Sequence, residues 1–313
     1  MVKKTLITGA SGFIGACLAR RLVKKRSEVH VFLRQKSKSW RLDGVLDRLF
    51  IHNVDLTDRE SVKKAVREIE PGTIYHLAAY GGYRKQIDVK RIVETNLTGT
   101  INIIDACAAV GVDIFVNAGT SSEYGVKRKP MQETDSLEPN SVYGVTKAAA
   151  TLYCTHMARD NGFPAVTFRI FAAYGPYEEP GRLIPSVVNA FLRDESPRLS
   201  SPDSVRDFIF VEDILDAFEK ATKEKKACGK VLNLGTGVQH TIGEVVEIVR
   251  ELANCKKDAV WGAVEKGRFE PKSWVADMSK TQRILKWKPK YDLKKGLTKT
   301  VGWFRENMVY YRE

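Results

Sequence analysis

The feature that most constrains the fold lies at the start of the chain, Lys4-Thr5-Leu6-Ile7-Thr8-Gly9-Ala10-Ser11-Gly12-Phe13-Ile14-Gly15. Thr5 to Thr8 mix β-branched and apolar residues with no helical repeat before Gly9, which predicts a short buried strand. From Phe13 onward the period changes: Ile14, Leu18, Leu22 and Val23 recur at helical spacing, with Arg20, Arg21, Lys24 and Lys25 between them. The three glycines fall at the junction. Gly9 permits a tight turn, Gly12 lets backbone approach a phosphate, and Gly15 lets the helix sit close to the strand. The exposed N–H groups and partial positive charge of a helix N-terminus suit a pyrophosphate. The spacing is G-x-x-G-x-x-G rather than G-x-G-x-x-G, so the strand–turn–helix context carries the dinucleotide reading.

The same alternation continues. A second buried strand, residues 28–33, ends in Arg34-Gln35-Lys36-Ser37-Lys38, with no carboxylate to bond a ribose 2′-hydroxyl. Arg34 suits a 2′-phosphate instead, so NADP(H) is the preferred cofactor and NAD(H) the second choice. Strands are expected at 50–54, 73–77, 113–118 and 165–168. Helices are expected at 59–70, capped by Thr57 or Asp58 and stopped by Pro71-Gly72, and at 88–110. His76, ending a buried strand, reads as structural. These elements imply an α/β fold with a doubly wound parallel sheet of Rossmann type. Further on, helices are expected at 183–192, 211–222 (capped near Glu212-Asp213) and 242–253, with strands at 199–201 and 231–234.

With 313 residues the chain can bury a sizeable core. No apolar run approaches the ~20 residues of a membrane span, and no apolar segment follows the basic start. Five scattered cysteines without a C-x-x-C pair argue for a reducing compartment and against a zinc site. A cytoplasmic enzyme is expected, with no metal. The net charge of +13 is spread along the whole chain, without an aromatic-interleaved basic motif. It reads as solvated faces that also welcome anionic small molecules, and nucleic-acid binding is disfavoured.

The chemistry gathers after the fifth strand, which leads into Gly119-Thr120-Ser121-Ser122-Glu123-Tyr124-Gly125. A helix beginning near Asn140 or Ser141 then carries Tyr143-Gly144-Val145-Thr146-Lys147. Tyrosine and lysine four apart share one helix face. A lysine cation beside a phenol favours the phenolate, lowering its pKa toward the range of a general acid/base. Hydroxyls at the strand end can bond the reacting oxygen. Together these form a dehydrogenase constellation.

On TGASGFIG (8–15), Asp55-Leu56, HLAA (76–79), Asn96, TSSEYG (120–125), YGVTK (143–147), RIFAAYGP (169–176) and RDFIFVEDI (206–214), the chain resembles an extended short-chain dehydrogenase/reductase. Within that class it is similar to the nucleotide-sugar epimerase/dehydratase family, in family order over almost the whole chain. The resemblance implies Tyr143 as acid/base, Lys147 as the group that holds the nicotinamide ribose and tunes Tyr143, and Thr120 as the hydroxyl partner. It implies cofactor contacts from Gly9, Gly12, Phe13, Ile14, Gly15, Arg34, Asp55, Leu56, Leu77, Ala78, Ala79 and Asn96, besides Tyr143 and Lys147. For a nucleotide sugar it implies Ser121, Ser122, Arg182, Arg206 and Arg268, with Arg206 clamping the diphosphate. It further implies a cofactor domain of 1–170 plus 207–234 and a smaller, discontinuous α/β substrate lobe of 171–206 plus 235–313. A homodimer formed through the helices of 88–110 and 140–161 is also implied.

Two departures narrow the reaction. Where 4,6-dehydratases of the family place an acid pair after the threonine, this chain has Ser121 and Ser122, and its Glu123 is out of register. The family asparagine of the R-x-F segment is Ala172. Elimination is therefore disfavoured. The sequence reading is an NADP(H)-dependent oxidoreductase acting at C4 of a nucleotide-linked hexose, foremost a reductase of a nucleotide-4-keto-6-deoxy sugar. A 4-epimerase with retained cofactor is the alternative, and a non-catalytic NADP-sensing or nucleic-acid-binding scaffold is a remote one.

Overall fold

The computed structural model describes residues 4–83, 85–264 and 272–311. Its centre is a seven-stranded sheet built from β1 (Thr5–Thr8), β2 (Val29–Leu33), β3 (Phe50–Asn53), β4 (Thr73–His76), β5 (Ile114–Thr120), β6 (Ala165–Ile170) and β10 (Val231–Leu234). The strands are all parallel, in the order β10-β6-β5-β4-β1-β2-β3. Chain order reverses beside β1, between β2 on one flank and β4 on the other. In open α/β sheets a crevice opens at that point, at the carboxyl ends of the strands.

Both faces of the sheet are covered, which is why its strands read as apolar runs. Successive residues go to opposite layers, as the strand period of two requires. Leu6, Ile74 and Phe115 join one core with Val62, Val66 and Ile103. Their neighbours Ile7, Tyr75 and Val116 join the other, with Leu18, Leu22 and Phe218. The covering helices are α1 (Phe13–Lys24), α2 (Arg59–Ile69), α3 (Val89–Val93), α4 (Gly99–Val110), α5 (Val142–Asp160) and α7 (Val211–Ala221). Asp58, Asp88 and Ser141 cap α2, α3 and α5, each accepting a backbone N–H inside the first turn.

The expected helix over 88–110 forms, with a π turn (Glu94–Thr98) joining α3 to α4. β5 and β6 run longer than expected, because their register continues to the pair Thr120–Ile170. The extension carries Thr120 to the mouth of the crevice.

The remaining elements are β7 (Ala172–Tyr174), α6 (Leu183–Leu192), β8 (Val205–Arg206), β9 (Phe208–Phe210), β11 (His240–Thr241), α8 (Ile242–Ala253), α9 (Ser279–Leu285) and α10 (Leu293–Asn307). Two expectations are corrected here. Residues 199–201 form no strand, since a single bridge at Arg198 to Val260 holds that segment. The residue preceding α7 is Phe210, while Glu212 and Asp213 lie in its first turn, where carboxylates favour the helix dipole. Among the described residues no helix is long and apolar enough to cross a membrane.

Candidate active site

The crevice is a cleft of about 1430 Å³, bounded by the glycine turn, the ends of β2, β4 and β5, and the segment 178–184. Drug-sized ligands occupy about 300–1,000 Å³, so this volume has room for two extended ligands side by side.

At its floor, Gly9 has φ +73° and a Cβ there would meet Ala78 N at 2.6 Å. A Cβ at Gly15 would meet Gly9 O at 2.2 Å, so helix and turn touch without room for a methyl. A Cβ at Gly12 would meet Gly9 O alone within 4 Å, leaving its other side open. Gly12 precedes α1 with no side-chain cap and no acidic residue in the first turn. The first N–H groups of the helix, at Phe13 and Ile14 beside the cleft, are therefore a donor set that fits a pyrophosphate. Leu77, Ala78 and Ala79 form the adjoining wall. Asp55 and Leu56 line it farther out, with Asp55 Oδ1 accepting from the Thr57 N–H and hydroxyl at 3.0 and 2.9 Å. At the end of β2, Arg34, Lys36, Ser37 and Lys38 face the same space, and Ser37 Oγ accepts the Arg34 N–H.

At the opposite end Thr120, Ser121, Ser122 and Tyr143 converge. Thr120 caps the turn Ser121–Glu123, accepting the Ser122 N–H, and its own N–H is accepted by Glu123. The Thr120 hydroxyl is a hydrogen-bond partner of Tyr143, whose phenol burial pushes up to about 12, with Arg182 the largest opposing influence. Lys147 lies one turn along α5, only 2% exposed, and burial lowers its own pKa while Glu123 and Cys154 raise it.

The expected cofactor contact Asn96 is corrected as well. Fully buried on the π turn, it spends its amide on the protein. Oδ1 accepts the Tyr80 N–H, and Nδ2 donates to Tyr80 O and Thr146 Oγ1 at 2.8 and 3.0 Å. It fixes the loop after β4 against α5. His76 is structural as expected: buried between Thr8 and Thr100 hydroxyls at 2.8 and 2.9 Å, its pKa is lowered to about 3 by burial and then by Lys147.

Of the expected substrate residues, Ser121 Oγ accepts the Trp274 indole N–H at 3.1 Å, and Thr120 Oγ1 donates to Ser122 Oγ at 3.4 Å. Arg182 donates to Gly82 O at 2.8 Å and lies over the Tyr83 ring, so it spans the cleft mouth beside Tyr143. Arg206 donates to Val205 O and sits over Trp274, with its centre 5.6 Å from the ring. Arg268 lies outside the described residues. The sequence reading missed Trp274, Arg41 and Glu178 as cleft residues. Tyr83 also lines the cleft, from a glycine-rich loop at a strand's carboxyl end, where ligands of open α/β sheets sit.

Glu123 does not serve the cleft. Its carboxylate bonds Arg169 Nε at 2.8 Å with the two side chains 0% and 4% exposed, and also accepts from Thr120 N and Thr151 Oγ1. Burial pushes it up and Arg169 opposes that.

A doubly wound sheet, a glycine turn at a bare helix N-terminus, and a Thr–Tyr pair above it define an enzyme of the extended short-chain dehydrogenase/reductase class. The chain belongs to the GDP-mannose 4,6 dehydratase family, whose model matches residues 6–300. It is 28% identical over 314 residues to an uncharacterized UDP-glucose epimerase, YtcB, of Bacillus subtilis, covering 96% of this chain and 97% of the relative. It is 27% identical over 339 residues to the dTDP-glucose 4,6-dehydratase of Salmonella typhimurium, covering 97% and 93%. Among solved structures, it superimposes on the UDP-glucose 4-epimerase of Thermotoga maritima with UDP-glucose at a TM-score of 0.90 and 25% identity, covering 97% and 99%. The UDP-glucuronic acid 4-epimerase of Bacillus cereus, in complex with UDP-glucuronic acid and NAD, gives 0.87 and 26%, again covering 97% and 99%.

Proposed function

We propose that this enzyme uses NADP(H) to reduce the C4 carbonyl of a nucleotide-linked 4-keto-6-deoxy hexose. The observation that carries the reading is the basic end of β2, where Arg34, Lys36 and Lys38 face the cleft without a carboxylate. A 2′-phosphate is attracted there, and a phosphorylated dinucleotide suits a dissociating reductant. Gly9, Gly12 and Gly15, the N–H groups of Phe13 and Ile14, and the wall from Leu77 to Ala79 hold the cofactor. When bound, the reduced nicotinamide would supply the hydride that the carbonyl carbon accepts, with the C=O π electrons passing to O4.

Tyr143 donates its proton to that oxygen, and Thr120 orients it. The high phenol pKa keeps Tyr143 protonated at neutral pH, which is the form that reduction needs. The phenolate left behind faces Arg182. Ser121, Ser122 and Arg206 hold the sugar and diphosphate, at the seam between the lobe of 171–206 plus 235–313 and the remainder of the chain. A 4,6-elimination finds no carboxyl in the cleft at Ser121 or Ser122, and Glu123 is held by Arg169. The UDP-sugar epimerases of similar structure favour 4-epimerisation as the second reading.

Identifying the nicotinamide released by denaturing protein purified without added cofactor tests the reading. An empty protein that binds NADPH at least about tenfold tighter than NADH agrees with it. Stoichiometric NAD⁺ makes the epimerase the better account. Arg34→Ala is expected to weaken NADPH about 10- to 100-fold, the worth of one charge-assisted contact, and NADH less than about threefold. Fluorescence titration of the two cofactors measures both.

The chain is also proposed to form a homodimer. Val89 and Val93 on α3 and Val142, Val145 and Leu152 on α5 are exposed apolar side chains on packed helices. Burying such a face is favourable in proportion to its area. Leu152→Glu is expected to convert a dimer to a monomer in sedimentation velocity, and an unchanged mass would refute this interface.

A further inference from the structure

The segment after β7, Tyr177-Glu178-Glu179-Pro180-Gly181-Arg182, brings two adjacent carboxylates to the cleft, and they behave differently. Glu179 is paired with Arg41. Glu178 is 7% exposed and lines the cleft, yet its Oε2 has no hydrogen-bond partner among the described residues. Leaving a buried carboxyl oxygen unmatched is costly, and native proteins seldom do it without a use for the atom.

The surroundings of Glu178 say what chemistry would match it. Arg41, from the short helix Trp40–Leu42, donates to Tyr177 O at 2.7 Å and to Ser11 O in the glycine turn at 3.4 Å. It thus ties the segment of Glu178 to the phosphate-binding turn. Arg182 also lines the cleft and spans to Gly82. The remaining groups that feel Glu178 are the phenols of Tyr83 from the loop after β4, Tyr174 from β7, and Tyr311, which donates to Glu178 O. The carboxyl therefore feels the charge of two guanidinium groups, Arg182 and Arg41, in a cleft whose proposed ligands are both phosphate esters.

Resting on that reading of the cleft, we propose that Glu178 is a proton-linked phosphate contact, which donates its carboxyl proton to a phosphate oxygen of a bound ligand and repels that oxygen when ionised. The phosphate belongs either to the dinucleotide or to the nucleoside diphosphate of the substrate. A neutral carboxyl offers one O–H donor, which a phosphate oxygen accepts, whereas a carboxylate offers only acceptors. Burial pushes Glu178 up to about 8, against the pull of Arg182, the Gly175 N–H and Arg41, so the neutral form persists at pH 7. A proton-linked site of this kind binds fully below that value and loses affinity as pH rises through it.

Isothermal titration of the full-length protein between pH 7.0 and 9.5 tests this, with NADPH alone in one arm and UDP alone in the other. In the arm whose phosphate meets Glu178, affinity is expected to fall about thirtyfold across that range. Binding at pH 8.5, run in buffers of different ionisation enthalpy, is expected to take up roughly three-quarters of a proton. Glu178→Gln keeps an uncharged donor, so the same arm is expected to change less than threefold with pH and to take up no such proton. A variant with the wild-type slope, or wild-type proton uptake no larger than that of the variant in both arms, overturns the role of Glu178 alone. Failure of NADPH and UDP to bind at pH 7.0 overturns the reading of the cleft together with it. Whichever arm carries the linkage identifies the phosphate.

Discussion

Tyr143→Phe is expected to lower kcat for carbonyl reduction by about 10²–10⁴-fold, the usual worth of a positioned general acid. Cofactor affinity and thermal stability should stay near wild type. The phenol is half-buried, and phenylalanine fills the same ring volume, so the substitution opens no cavity. What disappears is the only atom that Tyr143 would bring to O4, together with its hydrogen bond to Thr120. Single-turnover measurement with saturating NADPH separates the chemical step from binding. A variant retaining more than a tenth of wild-type turnover would place the proton donor elsewhere.

The second large effect lies behind the cleft. Glu123→Gln is expected to destabilise the protein by about 3–5 kcal/mol, the range for removing one partner of a buried ion pair. Arg169 would then keep a guanidinium that is 4% exposed, with no carboxylate to meet it. The loss is not confined to the pair. Glu123 also receives Thr120 N–H at 2.8 Å and Thr151 Oγ1 at 3.1 Å, and closes the capping box of its own turn. Because the same carboxylate anchors the backbone of Thr120, kcat should fall along with stability. Urea denaturation read by circular dichroism gives the first quantity. A loss below about 1 kcal/mol would mean that the pair contributes little beyond a neutral hydrogen bond.

The two substitutions also mark what the sequence does and does not disclose. The sheet and its covering helices were legible because their signals are local: Thr5–Thr8 and Val29–Leu33 as apolar runs, Asp58 and Ser141 as caps, glycines at a strand–helix junction. Elements whose extent depends on a partner were misjudged. β5 reaches Thr120 only because β6 pairs with it that far, and the segment 199–201 follows a lone bridge at Arg198 instead of forming a strand. The cleft shows the same division. Thr120, Tyr143 and the glycine turn are recognisable from short motifs, and they share one cavity.

The destinations of charged and amide side chains were not legible. Asn96 turns to Tyr80 and Thr146, and Glu123 turns to Arg169, which is 46 residues along the chain. Lys147 is buried, and burial is the largest influence on the Tyr143 phenol. Burial and long-range partners decide these outcomes, and neither is written in residue spacing. Glu178 is the extreme case, since nothing in Tyr-Glu-Glu-Pro distinguishes the carboxylate paired with arginine from the carboxyl that keeps one oxygen without a partner among the described residues.

The central claim is that this chain carries out a net reduction at C4 of a 4-keto-6-deoxy sugar attached to a nucleotide. Incubating it with a dTDP-4-keto-6-deoxy hexose and NADPH deuterated at the transferable C4 position of the nicotinamide tests that claim most directly. The account predicts loss of one NADPH per sugar reduced and deuterium on C4 of the product, seen by NMR. No consumption of NADPH, together with interconversion of UDP-glucose and its C4 epimer by the protein alone, would contradict it.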